Sequence, residues 1–149
     1  MTDFEISLNS LLVDTFTSIL KYEEMSLRKS FDTPLTIAEA HMIETIGKQE
    51  SRVSISQIAM LSSIAVPTAT VAVKKLEQKG LVEKIPCQTD GRRALVGLTA
   101  KGKKVDRAHR IFHEKMTRNI SRQFLDSEKE VLLVAIDKLN EFFKHRIGA

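Results

Sequence analysis

Residues 54–98 read SISQIAMLSSIAVPTATVAVKKLEQKGLVEKIPCQTDGRRALVGL, and this stretch decides the fold. Ser54 stands three residues before Gln57, so its hydroxyl and the amide can each satisfy an orphan N–H of a first helical turn. A short helix is therefore predicted from Ser54 to about Leu61. After a turn a second helix begins near Val66-Pro67 and stops at Gly80, with Pro inside the start and Gly past the end. The period then changes. Leu81 to Ile85 and Ala94 to Leu98 are short β-prone runs flanking a polar, Gly-containing turn, the pattern of a hairpin. A helix-turn-helix followed by a hairpin is a winged helix.

Working outward, three more capping boxes are legible: Thr2 with Glu5, Thr36 with Glu39, and Ser127 with Glu130. The first opens a helix to about Lys29, with Leu8, Leu12, Phe16, Ile19 and Leu20 on one face. The second opens a helix ending near Gly47. Thr99 is placed to cap a long helix to about Phe124, and a final helix from Asp126 or Ser127 carries Val131, Leu132, Ala135, Ile136, Leu139, Phe142, Phe143 and Ile147. The predicted fold is mainly α: a winged helix-turn-helix over 36–104, with long N- and C-terminal helices over 1–35 and 105–149.

The composition narrows the function. With 149 residues the chain can bury a core without staples, and its single Cys excludes an internal disulfide framework and a four-Cys zinc site. No apolar run approaches the length of a membrane span, and the N-terminus Met1-Thr2-Asp3-Phe4-Glu5 is polar, so no membrane association and a cytoplasmic location are expected. The net charge of +4 conceals an asymmetry. Residues 74–122 carry 14 basic and 5 acidic side chains, while residues 1–73 carry 5 and 9. Such clustering suits an anionic partner, with nucleic acid first. No Gly-rich phosphate loop, Gly-x-Ser-x-Gly elbow or Cys–His pair at a recognisable spacing is present, so no enzyme and no cofactor are expected.

In a helix-turn-helix the second helix buries one face and offers the other to the major groove. At 100° per residue, Val66, Ala69, Val73 and Leu76 fall inward. Pro67, Val71, Lys74 and Gln78 fall outward, flanked by Thr68 and Lys75. Thr68 and Thr70 can donate to a base or phosphate, and Lys74 and Lys75 suit phosphates. An outward Val71 gains little for stability but can meet a thymine methyl group. Ser63 in the turn joins this set. At the hairpin tip, Asp90 can orient Arg92, and Arg92 and Arg93 suit a narrow minor groove. These residues predict double-stranded DNA as the partner.

At this point the sequence resembles a family. Asp90-Gly91-Arg92-Arg93 through Leu98-Thr99-Ala100-Lys101-Gly102, with Leu76 to Lys84 before it, is similar to the wing signature of MarR-type transcriptional regulators. The resemblance implies a homodimer whose two terminal regions form the interface, each winged helix reading half of a palindromic site. Many members carry Arg where Val71 stands here. Glu23 to Arg28, Glu39 to Gly47 and His109 to Met116 also resemble the Gram-positive repressor of fatty-acid synthesis genes within that family. That subgroup implies an acyl chain on acyl carrier protein as corepressor.

The histidines admit two readings. His109 and His113 share a helix face four residues apart, and with His41 and Glu24 they resemble the ligands of zinc-sensing MarR members. The same residues, with Phe112, equally suit a small-molecule or acyl effector pocket, and no metal is assigned. Cys87, at the hairpin base, does not match the N-terminal cysteine of redox-sensing relatives and reads as an incidental small residue.

Overall fold

The computed structural model describes residues 1–32, 34–89 and 93–148. In chain order the elements are α1 (Asp3–Ser30), α2 (Ile37–Gly47), β1 (Val53–Ser54), α3 (Ile55–Leu61), α4 (Val66–Gln78), β2 (Val82–Pro86), β3 (Ala94–Leu98), α5 (Ala100–Ser121) and α6 (Asp126–Ile147). The expected mainly α winged helix is what forms. Thr2, Thr36 and Ser54 each accept from the backbone N–H three residues on, and each partner side chain returns the bond. The reciprocal pairing fixes where α1, α2 and α3 start.

Three expectations need correction. The predicted box of Ser127 with Glu130 does not form. The N-cap of α6 is Leu125, two residues before Ser127, and its N–H donates to Glu128 Oε2 at 2.7 Å, so Glu128 takes the third position and the helix starts at Asp126, the earlier of its two expected starts. Asp126 and Glu128 then sit in the first turn, where the helix dipole favours acids. The long helix α5 ends at Ser121 and not near Phe124. A third strand was missed: β1 pairs antiparallel with β3, Val53 facing Val96, giving the sheet order β1-β3-β2.

The chain divides into two compact units, Met1–His109 and Arg110–Ala149. The first holds a core of Met42, Ile43 and Ile46 from α2, Ile58 from α3, Val73 and Leu76 from α4, and Leu81, Val82 and Val96 from the wing. α3 and α4 meet at 108°, within the range of a helix-turn-helix. In α1 only Glu23 and Leu27 are buried, while Phe4, Leu11 and Phe16 are exposed. In the second unit α6 buries no residue and exposes Val131, Leu133, Val134, Phe142 and Phe143. Among the described residues no single helix is long and apolar enough to cross a membrane.

One clasp joins the end of α4 to the start of α5. Gly80 has φ +73°, which turns the chain after α4 at little cost for a residue without Cβ. Thr99 Oγ1 donates to Gly80 O at 2.7 Å and accepts from Gly102 N at 3.1 Å, and Thr99 N donates to Leu81 O at 3.1 Å. Thr99 thus caps α5, as its position predicted, and ties that helix to the wing's root.

Candidate nucleic-acid interface

The inward face of α4 carries Ala69, Val73 and Leu76, all fully buried as the periodicity predicts. Val66 is an exception: it is 47% exposed, because it opens the helix beyond the edge of the core. The outward face presents Pro67, Thr68, Val71, Lys74, Lys75 and Gln78, and all six are exposed. Val71, at 55% exposure, contributes little to the interior and is available for a partner. The hydroxyl of Thr70 donates to Val66 O at 2.9 Å, so it can offer a partner only its lone pairs, against the expectation that it donates.

Charge is distributed with a division of labour. Lys79 is used internally, donating to Glu39 Oε2 at 2.7 Å and Pro34 O at 2.8 Å. Arg52 pairs with Glu83 at 3.1 Å and Lys84 with Glu77 at 3.8 Å. Among the described residues Lys74 and Lys75 form no ion pair. The face that α4 offers therefore keeps its positive charge, while cations around it hold the domain together.

The turn before α4 is held open by Ser63, whose φ of +53° makes it the one non-glycine residue among those described with a positive φ. Such a backbone costs a side-chain-bearing residue about 1 kcal/mol. Because glycine also loses more chain entropy, Ser63→Gly is expected to stabilise the protein by only about 0.5 kcal/mol. A urea midpoint moving down and not up would show that the serine side chain itself holds the turn.

The wing strands pair in register from Val82 opposite Leu98 to Pro86 opposite Ala94, and Cys87 N donates to Arg93 O at 2.8 Å. Arg93 is exposed at the end of this ladder. Asp90 and Arg92, predicted at the tip, lie outside the described residues. Cys87 is half-buried, its Sγ 3.1 Å from Thr89 Oγ1.

Of the residues proposed for an effector, His41 and His109 come together, their ring centroids 5.8 Å apart, while Glu24 stays outside. Glu24 is on the surface, paired with Arg28 at 2.8 Å. Its neighbour Glu23 is the buried carboxylate: Oε1 lies 2.6 Å from His109 Nε2 and 3.0 Å from His41 Nε2. His109 Nδ1 is 3.7 Å from Glu44 Oε2. Glu23 is 3% exposed and His109 2%. The Glu23 carboxylate thereby ties α1, α2 and α5 through a mostly buried knot, with His41 at its exposed edge. Phe112 and His113 belong to the second unit, their rings edge to face at 5.3 Å. The zinc reading loses one of its four residues, because Glu24 pairs with Arg28 at the surface.

An opening of about 790 Å³ lies instead between α2 and α4. Ala38, Met42 and Thr45 line one side and Thr68, Val71 and Lys75 the other, with Ser62 in its wall. The sequence carried no signal for it, because it arises from how two helices pack.

A family model described as MarR family matches residues 35–94. Among solved structures, FabT of Streptococcus pneumoniae in complex with DNA is 30% identical, with a TM-score of 0.88 over 96% of this chain and 99% of that one. The S. aureus MepR–DNA complex is 21% identical, with a TM-score of 0.73 over 91% and 97%. Comparison with curated protein sequences gives no significant match.

Proposed function

As a member of the MarR family this chain is a DNA-binding transcription regulator, and we propose that it acts as a homodimeric repressor on a palindromic operator. The observation that carries this reading is the outward face of α4, where Pro67, Thr68, Val71, Lys74 and Lys75 are all exposed. Pro67, Thr68 and Val71 approach base edges, Val71 against a thymine methyl. Ser63, Lys74 and Lys75 bind the phosphates, Thr70 offers its lone pairs to a donor on a base edge, and Arg93 with Arg92 enters the flanking minor groove. The exposed apolar side chains of α1 and α6 supply the dimer interface, since monomers rarely leave so much apolar helix surface open.

The target is the genes of fatty-acid synthesis, with an acyl chain on acyl carrier protein as corepressor. Likeness to FabT along nearly the whole chain supports this choice. Footprint selection on genomic DNA with the purified protein tests it. Sites upstream of lipid-synthesis genes are expected, and sites confined to unrelated genes would refute the assignment.

Arg93→Ala should weaken operator binding and flatten its salt dependence. A cation held in the minor groove still displaces counterions from the duplex, so losing one per subunit lowers the slope of log K against log salt by about 0.9 for each charge removed. An unchanged slope in a shift assay over a salt series would remove Arg93 from the interface.

A further inference from the structure

The two ends of α4 are held by different means. Its first turn starts from Ala65, which supplies no side-chain cap. Ala69, Val73 and Leu76 press the helix on the core, but apolar contact is non-directional and resists lifting more than turning. The opening between α2 and α4 leaves part of the helix flank without packing. At the far end the bonds are directional. Lys79 caps the last turn, and its Nζ donates to Glu39 Oε2 at 2.7 Å and to Pro34 O at 2.8 Å. Its own carbonyl accepts from Lys101 Nζ at 3.3 Å. Glu39 Oε2 also accepts from Thr36 N at 3.2 Å, one of the two bonds that start α2. One carboxylate oxygen therefore holds both the first turn of α2 and the last of α4. The Glu39 side chain is only 12% exposed and that of Lys79 29%, so salt screens this pair less than a surface pair.

We propose that Lys79 is a positioning residue for sequence recognition: gripped by Glu39 and Pro34, it sets the rotation of α4 about its axis and so aims Pro67, Thr68 and Val71 at the bases. This role rests on the reading of α4 as the DNA-facing helix. Lys79 lies about 12 Å along the axis from Val71, at 1.5 Å per residue, and acts on the bases without touching them. A turn of about 20° carries each Cα about 0.8 Å around a helix of radius about 2.3 Å. That exceeds the roughly 0.5 Å within which a binding constellation must be held. Base contacts depend on such aim. Phosphate contacts depend on it less, because Lys74 and Lys75 reach out on flexible stems. Loss of the grip therefore costs discrimination between sequences before it costs attraction to DNA.

The full-length protein is titrated with the operator recovered by footprint selection and with a random duplex of equal length, over a salt series. Lys79→Met removes the charge and both bonds and keeps an unbranched apolar stem. It is expected to weaken the operator about tenfold and the random duplex by no more than about twofold, with the salt slope unchanged. Retained binding of the random duplex also reports that the variant is folded. Glu39→Gln keeps an oxygen for the cap of α2 but removes a negative charge, which by charge alone would tighten DNA. It is expected instead to weaken the operator about threefold. The double variant should be no worse than Lys79→Met, because the bond is then already gone. A salt slope lowered by about 0.9 per subunit, with both duplexes weakened, would make Lys79 a phosphate ligand and overturn the positioning role. Equal losses on both duplexes at constant slope would overturn it too, leaving a bond that only stabilises the fold. Val71→Ala tests the underlying reading. Preference for the operator lost in Val71→Ala but kept in Lys79→Met overturns the positioning role alone. A preference untouched by either variant removes α4 as the reader of sequence, and the role of Lys79 with it.

Discussion

Gly102→Ala is expected to destabilise the protein by about 3 kcal/mol, lowering its melting temperature by about 9 °C at fixed protein concentration. A Cβ built at Gly102 would lie 2.0 Å from the carbonyl oxygen of Leu81, well inside contact distance, and the obstacle is backbone. That carbonyl accepts from Thr99 N at 3.1 Å, and Thr99 in turn caps α5 by accepting from Gly102 N. To make room, α5 must lift from the root of the wing and break these bonds together. Gly80→Ala is the comparison. Its φ of +73° strains any side chain, but nothing lies within 4 Å of the added carbon, so about 1 kcal/mol is expected there. Thermal melts of both variants separate close approach from backbone strain. Melting of Gly102→Ala within a degree of the parent would refute the clasp.

The clasp also explains why the wing signature was legible. Leu98-Thr99-Ala100-Lys101-Gly102 marks a place where three requirements fall within five residues: a strand end, a hydroxyl cap and a contact that tolerates no Cβ. Each requirement selects a residue type, so the sequence itself carries the geometry. The same holds for Thr2, Thr36 and Ser54, whose partners lie three residues away. Signals fail where the partner is remote or the element is short. Val53–Ser54 is a strand of two residues, too brief for a period, and only its pairing with β3 defines it. The opening between α2 and α4 depends on tertiary packing, which no local pattern encodes. For the buried acid a signal existed: Glu23 interrupts the stripe Phe16, Ile19, Leu20, Leu27 at helical spacing, whereas Glu24 lies 100° around the helix. A carboxylate on an apolar stripe must find a partner inside the protein.

That partner set yields the other large effect. His109→Leu removes one of the two imidazoles bonded to Glu23, a carboxylate that is 3% exposed, and leaves it the bond to His41, whose own side chain is 53% exposed. Breaking a buried pair by deleting one member costs about 3–5 kcal/mol, because the remaining charge stays desolvated. Near 3 kcal/mol is expected here, since His41 keeps its bond at 3.0 Å. Glu23→Leu alone takes from the buried His109 ring its contact at 2.6 Å and should cost about 2 kcal/mol. The double variant Glu23→Leu, His109→Leu removes both polar groups and fills their space with apolar volume of similar size. It should lose only about 1 kcal/mol, because replacing a whole buried pair avoids the stranded charge. The coupling energy of the cycle would then be about 4 kcal/mol, well beyond the scatter of independent sites. Denaturant unfolding of the four proteins at one concentration supplies the numbers. Additivity within about 0.5 kcal/mol would mean that the knot joining α1, α2 and α5 is not a coupled unit, and that its three side chains pack there independently.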